Sequence, residues 1–247
     1  MKAGGAWTTS RAARASQASG CDTVEIASRH EPIVVVEPPD LPELERRPVQ
    51  DLVVSGHLLF DGALVEDDRQ QPVSADQIVV TESELRGVQI DAPAAPGLRL
   101  RDVVLRGCDL SNADGREGSL RRVEIHDSRL MGFGLAGGDV QDLRVLDSSL
   151  ALGTLAFSRL KDVIFERVDL TETSFMQAQL ERVAFIDCRL AGTDFRAAKL
   201  NGCTIRGTSL EGVIGIESLR GVSMRWVDVL ESAGALAAAL GIHIDES

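Results

Sequence analysis

The sequence is poor in the residues from which an ordinary globular core is built. Aromatic residues make up only 4% of the 247 residues, and tyrosine is absent. The four cysteines show the spacing of neither a disulfide framework nor a metal-binding quartet. We therefore expect reduced thiols in a cytoplasmic protein without a metal or other cofactor. No apolar run reaches the roughly 18 residues that a membrane-spanning helix needs, and the N-terminus lacks the apolar stretch of a signal peptide.

Catalytic constellations are also missing. The four histidines are His30, His57, His126 and His243, and each lies in a different segment. The string from Gly132 to Gly137 reads GxGxxG, but no helix is expected to follow it, so the βαβ context of a dinucleotide site is absent. We predict that the protein is not an enzyme.

The charge distribution argues against direct binding of nucleic acid. The net charge is −12, of which residues 80–223 carry only −3. Affinity for phosphates comes from their neutralisation by lysine and arginine, and an acidic chain offers no such surplus.

What the sequence does contain is a period of five. Among the 25 positions counted in fives from Ile90 to Leu210, 23 are Leu, Ile, Val or Phe; only Ala95 and Gly115 depart from the rule. Neither a helix, with 3.6 residues per turn, nor a strand, with a side-chain period of about 2, explains this spacing. The period indicates a coiled chain that turns a corner every five residues.

A second position supports this interpretation. Two residues before each bulky centre the chain prefers a small residue, such as Cys108, Ala113 or Gly118. Five bulky exceptions are spaced 20 residues apart, namely Val103, Val123, Leu143, Val163 and Val183, and the scattered others are Leu98, Phe133 and Val168. Four pentads per coil predict a four-sided solenoid with one side of distinct character.

Individual pentads resemble those of a known family. Thr193-Asp194-Phe195-Arg196-Ala197 and Cys108-Asp109-Leu110-Ser111-Asn112 are similar to the pattern small–Asp/Asn–Leu–x–x of the pentapeptide-repeat family. The resemblance covers about residues 80–223 and implies an all-β fold, a right-handed, four-sided parallel β-helix.

The remaining segments are expected to flank this solenoid. We expect residues 1–48 to be a disordered, proline-rich segment, and residues 49–79 to be a β-rich cap over the first coil. Residues 224–247 are expected to form a helix and tail. The apolar residues spaced for one helix face there are Val227, Leu230, Ala233, Leu236, Ala237 and Leu240. This helix can cover the last coil, form a homodimer as in some members of the family, or do both.

The sequence favours a non-catalytic protein–protein interaction module with an unidentified partner. Met131, Leu152, Phe157 and Met176 are apolar, yet they fall outside the two inward positions of the pentad. A contiguous exposed apolar strip often marks an interface. The candidate interface residues are Met131, Leu152 and Met176 on the coils, with Leu236 and Leu240 on the C-terminal helix.

The resemblance implies one alternative function. Certain pentapeptide-repeat proteins mimic DNA, bind DNA gyrase and protect it from quinolones. A DNA mimic needs a strongly negative surface, and the candidate acidic residues are Asp109, Asp114, Asp169, Glu172, Asp194 and Glu211. We expect Arg116, Arg129, Arg189 and Arg196 to dilute the negative charge of that surface.

Overall fold

The computed structural model describes residues 34–48, 53–54, 56–66 and 72–244. In these ranges the chain forms many short strands and two short helices. The strands are β1 (Glu45–Arg47), β2 (Val53–Val54), β3 (His57–Asp61), β4 (Ala63–Glu66), β5 (Val73–Ser74), β6 (Gln77–Arg86), β7 (Ile90–Asp91), β8 (Arg99–Arg106), β9 (Ser119–His126), β10 (Asp139–Leu146), β11 (Arg159–Glu166), β12 (Gln179–Ile186), β13 (Lys199–Asn201), β14 (Thr204–Arg206) and β15 (Ser223–Met224). The helices are α1 (Trp226–Glu231) and α2 (Ala233–Ala239), and a 3₁₀ turn spans Ile216–Leu219.

The strands stack into the predicted four-sided parallel β-helix. From β6 to β12 each long strand pairs in parallel with the equivalent strand one coil later, as in the pairs Val103↔Val123 and Leu143↔Val163. We number the coils from coil 1 (99–118) through coil 2 (119–138), coil 3 (139–158) and coil 4 (159–178) to coil 5 (179–198). In coil 1 the four sides are centred on residues 100, 105, 110 and 115, and we call them the first to fourth sides.

The corners explain the period of five. In coils 1 to 5 the residue two after each pentad centre has a positive φ, for example 59° at Asn112 and 57° at Glu117. Two sides of each coil merge into one strand of eight residues, such as β8. The other two sides contribute only single bridges, such as Asp109↔Arg129 and Asp114↔Gly134. The bulky residues at 20-residue intervals lie in the long strands, so the distinct side that they predict is the second one.

Stacked apolar side chains fill the interior. Phe165 lies 5.4 Å from Phe185, centroid to centroid, and Phe175 lies 5.2 Å from Phe195, and both pairs are nearly parallel. The two stacks also meet edge to face, with 5.8 Å between Phe175 and Phe185. Each of these four rings is at most 1% exposed. A narrow solenoid therefore builds a dense core from few aromatic residues.

Two exceptions to the sequence pattern compensate each other. Gly115 occupies a centre that should be bulky, and Leu98 occupies a position that should be small. A Cβ atom on Gly115 would lie 2.8 Å from the Cβ of Leu98. The side chain of Leu98 therefore fills the space that a bulky residue 115 would occupy, and the coil continues without a gap.

The N-terminal segment differs from the disordered linker that its prolines predict. Residues 34–40 lie along the outside of the solenoid, where Val34 packs on Ile164 and Ala184. The N–H of Glu37 donates to Asp142 Oδ1 at 3.2 Å, and the N–H of Asp40 donates to a carboxylate of coil 1. The sequence shows no helix or strand period here, but apolar contacts and buried acceptors hold the extended chain. The disorder predicted for residues 1–33 lies outside the described residues.

The predicted N-terminal β region continues the solenoid. Strands β3 and β4 pair in parallel with β6 at the same 20-residue offset as the later coils, as in Leu58↔Ile78 and Val65↔Leu85. Strand β1 then adds to β4, and β2 folds back on β3 as an antiparallel hairpin. These additions cover backbone that would otherwise be an open edge.

The predicted C-terminal cap is present as two short helices. Polar side chains contribute to this cap: Asp228 Oδ1 accepts the N–H of Gly207 at 3.1 Å, and Ser232 Oγ accepts the N–H of Leu210 at 3.3 Å. The N–H groups at the open end of the last coil have no following strand to pair with. A side-chain oxygen can accept their hydrogen bonds, whereas an alkyl chain cannot. The apolar residues of the helical pattern are therefore divided between the core and the surface. Leu236 packs against the core, whereas Val227, Leu230 and Leu240 are exposed.

Candidate functional site

The fourth side of the solenoid carries an area without charge. The segments 130–138 in coil 2 and 149–158 in coil 3 contain no charged residue. Ion pairs flank this area along the solenoid. Asp114 pairs with Arg116 in coil 1, and Asp194 pairs with Arg196 in coil 5, where N and O are 2.7 Å apart. We call the outward-facing residues of the fourth side in coils 1 to 4, together with both flanking corners, the fourth face.

Two large apolar side chains project from the fourth face in coil 3. Leu152 is 56% exposed at the corner with the third side, and Phe157 is 55% exposed at the corner with the first side. Both have left-handed backbone, with φ of 61° and 62°. Bulky residues are uncommon in this conformation, because the Cβ atom crowds the following carbonyl oxygen. The chain thus places two large apolar groups where neither packing nor backbone preference favours them.

The predicted strip of methionines and leucine is split between the two corners. Met131 lies at the corner of Leu152, because the N–H of the neighbouring Gly132 donates to Ala151 O in coil 3. Met176 lies at the opposite corner, where its carbonyl accepts the N–H of Phe157 at 2.9 Å. Met131 is 43% exposed, whereas Met176 is half-buried. That these residues form an interface stays a prediction; Phe157 joins them on geometric grounds.

The floor between the corners is flat and made of small residues. Gly134, Thr154 and Ser174 form a row of parallel bridges across coils 2 to 4. In coil 2 the two corners are Gly132 and Gly137. Gly137 leaves an open hollow beside Phe157, whereas the end of the Asn112 side chain covers the space at Gly132 beside Leu152. The GxGxxG string is therefore two solenoid corners. It does not join a strand to a helix, as a dinucleotide-binding turn would.

The candidate acidic residues lie on the third and fourth sides, as part of rows that include arginines. Asp109 lies 3.5 Å from Arg129, and Asp169 lies 3.6 Å from Arg189, measured between N and O. Asp114 pairs with Arg116, and Asp194 pairs with Arg196. Hydrogen bonds from Arg116 and from Arg196 hold the pKa of these two carboxyl groups below the ordinary value, although burial opposes the shift. Four of the six acids are therefore neutralised by a neighbouring arginine.

A polar groove of about 1020 Å³ runs along the corner between the second and third sides. It crosses six successive coils, from Gly87 to Asp187. Arg167 binds Asp147 in it through two hydrogen bonds, of 2.6 and 2.9 Å. Single pentads do not indicate this groove, because it arises from stacking corner residues 20 apart. Its opposite charges are largely paired with each other.

A second apolar surface lies on the C-terminal segment. Trp226 is 74% exposed, and Leu240 is 78% exposed. Four further apolar residues are also exposed there, namely Val227, Leu230, Ile242 and Ile244.

The side chains that could bind a metal ion are scattered in the described part of the chain. Among them no group of three or more His, Cys, Asp or Glu side chains comes together. Cys108 and Cys188 are buried in the core, and burial raises the pKa of each thiol to about 11. His126 contacts Glu124 at 2.9 Å. In the part of the chain that the structure covers, no helix is both long and apolar enough to cross a membrane.

Comparisons with known proteins agree with this architecture. Residues 158–214 match the sequence family described as pentapeptide repeat region, and residues 99–133 match the one described as pentapeptide repeats (8 copies). No curated protein sequence matches the chain.

The chain is similar to three solved structures, of which the first shows the same fold. A trypsin-treated variant of QnrB1, a plasmid-mediated fluoroquinolone resistance protein, is 18% identical, with a TM-score of 0.50 over 75% of this chain and 98% of that one. Full-length QnrB1 is 19% identical, with a TM-score of 0.40 over 74% and 89% of the two chains. The pentapeptide repeat protein Rfr23 from the cyanobacterium Cyanothece 51142 is 16% identical, with a TM-score of 0.18 over 44% and 60%.

Proposed function

This chain belongs to the pentapeptide-repeat family, and from that premise we propose that it is a non-catalytic protein–protein interaction module that docks a partner on its fourth face. The observation that carries the proposal is the pair Leu152 and Phe157. Both are more than half exposed, both adopt left-handed backbone, and both flank an uncharged floor. An exposed apolar surface with a charged rim is the usual form of a docking site.

The energetics favour a partner over free solvent. The left-handed conformation costs a non-glycine residue about 1–2 kcal/mol, but the coil fixes it in the free protein and in a complex alike, so the gain on binding comes from the side chains. Removing the exposed half of each side chain from water would stabilise a complex by about 1 kcal/mol per residue. The rigid coils beneath would lose little entropy on binding, since their backbone is already fixed by the ladder.

The test is capture of a partner from native lysate by the wild type and by the variant Leu152→Ser/Phe157→Ser. We expect the wild type to retain a specific protein that the variant loses, while both have the same circular dichroism spectrum. The matched control is Leu59→Ser, since Leu59 is an exposed apolar residue on β3, outside the fourth face. A partner that binds the double variant as well as the wild type would contradict the proposal.

Gyrase binding by DNA mimicry is the alternative that the family suggests. The paired aspartates weigh against it, because each of four candidate acids has an arginine within ion-pair distance. A DNA mimic has to present uncompensated negative charge. A gyrase supercoiling assay decides: unaffected supercoiling at micromolar protein removes this alternative, and inhibition or quinolone protection would restore it.

The C-terminal segment is a separate candidate for self-association. Leu240 is available there, whereas Leu236 is already packed on the core. A Leu230→Ser/Leu240→Ser variant that lowers the oligomeric state would establish a homodimer at this end. A cytoplasmic location is also part of the proposal. It is supported by Cys108, Cys188 and Cys203, which are free and buried, and it is tested by cell fractionation.

A further inference from the structure

The two middle coils of the fourth face differ in a complementary way. At both corners coil 2 has glycine where coil 3 has a large apolar residue: Gly132 precedes Leu152, and Gly137 precedes Phe157. A Cβ atom on Gly137 would meet only the Cγ of Glu117, at 3.8 Å. The hollow is therefore open on its outer side. Coil 3 presents two projections. Coil 2 presents an open hollow at Gly137 and, at the same separation along the strand, a second one at Gly132. The flexible end of the Asn112 side chain covers this second hollow in the single chain, since a Cβ atom on Gly132 would lie 2.5 Å from its Oδ1.

This arrangement is its own complement under a two-fold rotation. The axis lies in the plane of the face, runs parallel to the strands and passes between coils 2 and 3. The rotation places coil 3 of one copy over coil 2 of the other. Leu152 then faces Gly132 of the second copy, and Phe157 faces Gly137 of the second copy. Such a closed two-fold interface uses the same patch on both partners.

The polar residues at the ends of the face fit the same rotation, which places coil 1 over coil 4 of the second copy. Asn112 then faces Glu172, and its amide can donate to that carboxylate. Likewise Gln177 faces Glu117, and its amide is the donor there. At the centre of the side, the hydroxyl of Ser174 faces the carboxylate of Asp114. In this register each acid on the face meets a donor, and no two like charges oppose each other.

From this shape and charge complementarity we propose that the partner of the fourth face is a second copy of this chain, in an antiparallel pair about that axis. The inference rests on the proposed function, because it names the partner for the same surface. The buried area follows from the dimensions of the face. Four coils are stacked about 4.8 Å apart and each side is about 15 Å wide, so the two copies together bury about 600 Å², the size of a weak, transient interface. The pair is therefore reversible and depends on protein concentration.

The experiment is sedimentation equilibrium of the full chain up to millimolar concentration. We expect a monomer–dimer equilibrium for the wild type. Leu152→Ser/Phe157→Ser removes both projections, and should weaken the dimer on the order of tenfold or more, as loss of central apolar anchors does. Gly137→Leu fills a hollow and should weaken it by a similar factor. Its control is Gly107→Leu, which has the same left-handed backbone and open space but lies at the corner between the second and third sides.

The outcomes separate the candidates. Dimerisation that survives both fourth-face variants, or that is lost only in Leu230→Ser/Leu240→Ser, overturns the proposal in favour of the C-terminal surface. A wild type that stays monomeric throughout overturns it as well. If that monomer nevertheless captures another protein through Leu152 and Phe157, the proposed function holds and only the second copy as its partner is wrong.

Discussion

Replacement of two phenylalanines, 18 residues apart, tests the register of the whole solenoid. Phe175 is fully buried, with its ring stacked on Phe195 and edge to face with Phe165 and Phe185. Phe175→Ala removes the ring and leaves a cavity that the rigid coils cannot close, so we expect the free energy of unfolding to fall by about 3–5 kcal/mol. Phe175→Leu keeps most of the volume and should cost about 1–2 kcal/mol, which includes the lost ring contacts.

Phe157 is the matched control, because it is 55% exposed and lies at a corner. Phe157→Ala should lower the free energy of unfolding by about 1 kcal/mol or less, since most of its surface is already in water. Phe157→Gly should be neutral or slightly stabilising, because glycine adopts the left-handed backbone without cost. The assay is urea unfolding, monitored by circular dichroism. The slope of the free energy of unfolding against urea concentration is compared between variants, because a change in this slope indicates partial unfolding of the coils.

We expect Phe175→Ala and Phe157→Ala to differ clearly in the free energy of unfolding. A difference of less than about 1 kcal/mol would refute this expectation, because two sites of equal burial can differ by that much. Equal losses would mean that Phe157 is also buried. In that case the corner assignment at every fifth residue would be wrong, and with it the placement of the fourth face.

Three further predictions follow from the buried polar and ionisable groups. Cys108 and Cys188 should resist alkylation at pH 8 in the folded protein and react in urea, because burial raises the pKa of each thiol to about 11; peptide mass spectrometry measures this. Asp228→Ala should cost about 1–3 kcal/mol and accelerate amide exchange at Gly207, whose N–H it leaves without its acceptor. The pKa of Asp102 is depressed because hydrogen bonds from Arg122 and from the N–H of Asp40 outweigh burial. Its contribution to stability is therefore complete above its ordinary pKa of 3.8 and lost as pH falls through the lower folded value. Urea midpoints at pH 7 and pH 3 should differ less in Asp102→Asn than in the wild type.

The sequence predicted the solenoid because each pentad satisfies a local rule that stacking then repeats. A centre such as Leu170 and a small residue such as Thr173 carry the pattern one coil at a time, so single positions suffice to find it. Even the exceptions obey the packing logic. Leu98 and Gly115 exchange their expected sizes, but only their contact in space shows that one replaces the other.

Features that join distant segments could not be predicted in this way. The contact of Val34 with Ile164 and Ala184 spans more than 100 residues and has no periodic signal. At the C-terminus, helical spacing indicated an apolar face, and Leu236 does pack on the core. The open end of the coil also needs hydrogen-bond acceptors, and nothing in that spacing indicates that Asp228 and Ser232 supply them. On the fourth face, Met131 and Met176 were expected in one strip, and a shift of one pentad places them at opposite corners.

Photo-crosslinking from position 157 tests the central claim most directly. The full-length protein would carry benzoylphenylalanine in place of Phe157 in cells, with the same group in place of Lys161, an exposed residue of β11 on the first side, as the control. The account predicts a light-dependent protein adduct from position 157 and none from position 161, with mass spectrometry identifying a second copy of this chain or another protein. No adduct from position 157, or equal adducts from both positions, would contradict the claim that the fourth face is a protein-binding surface.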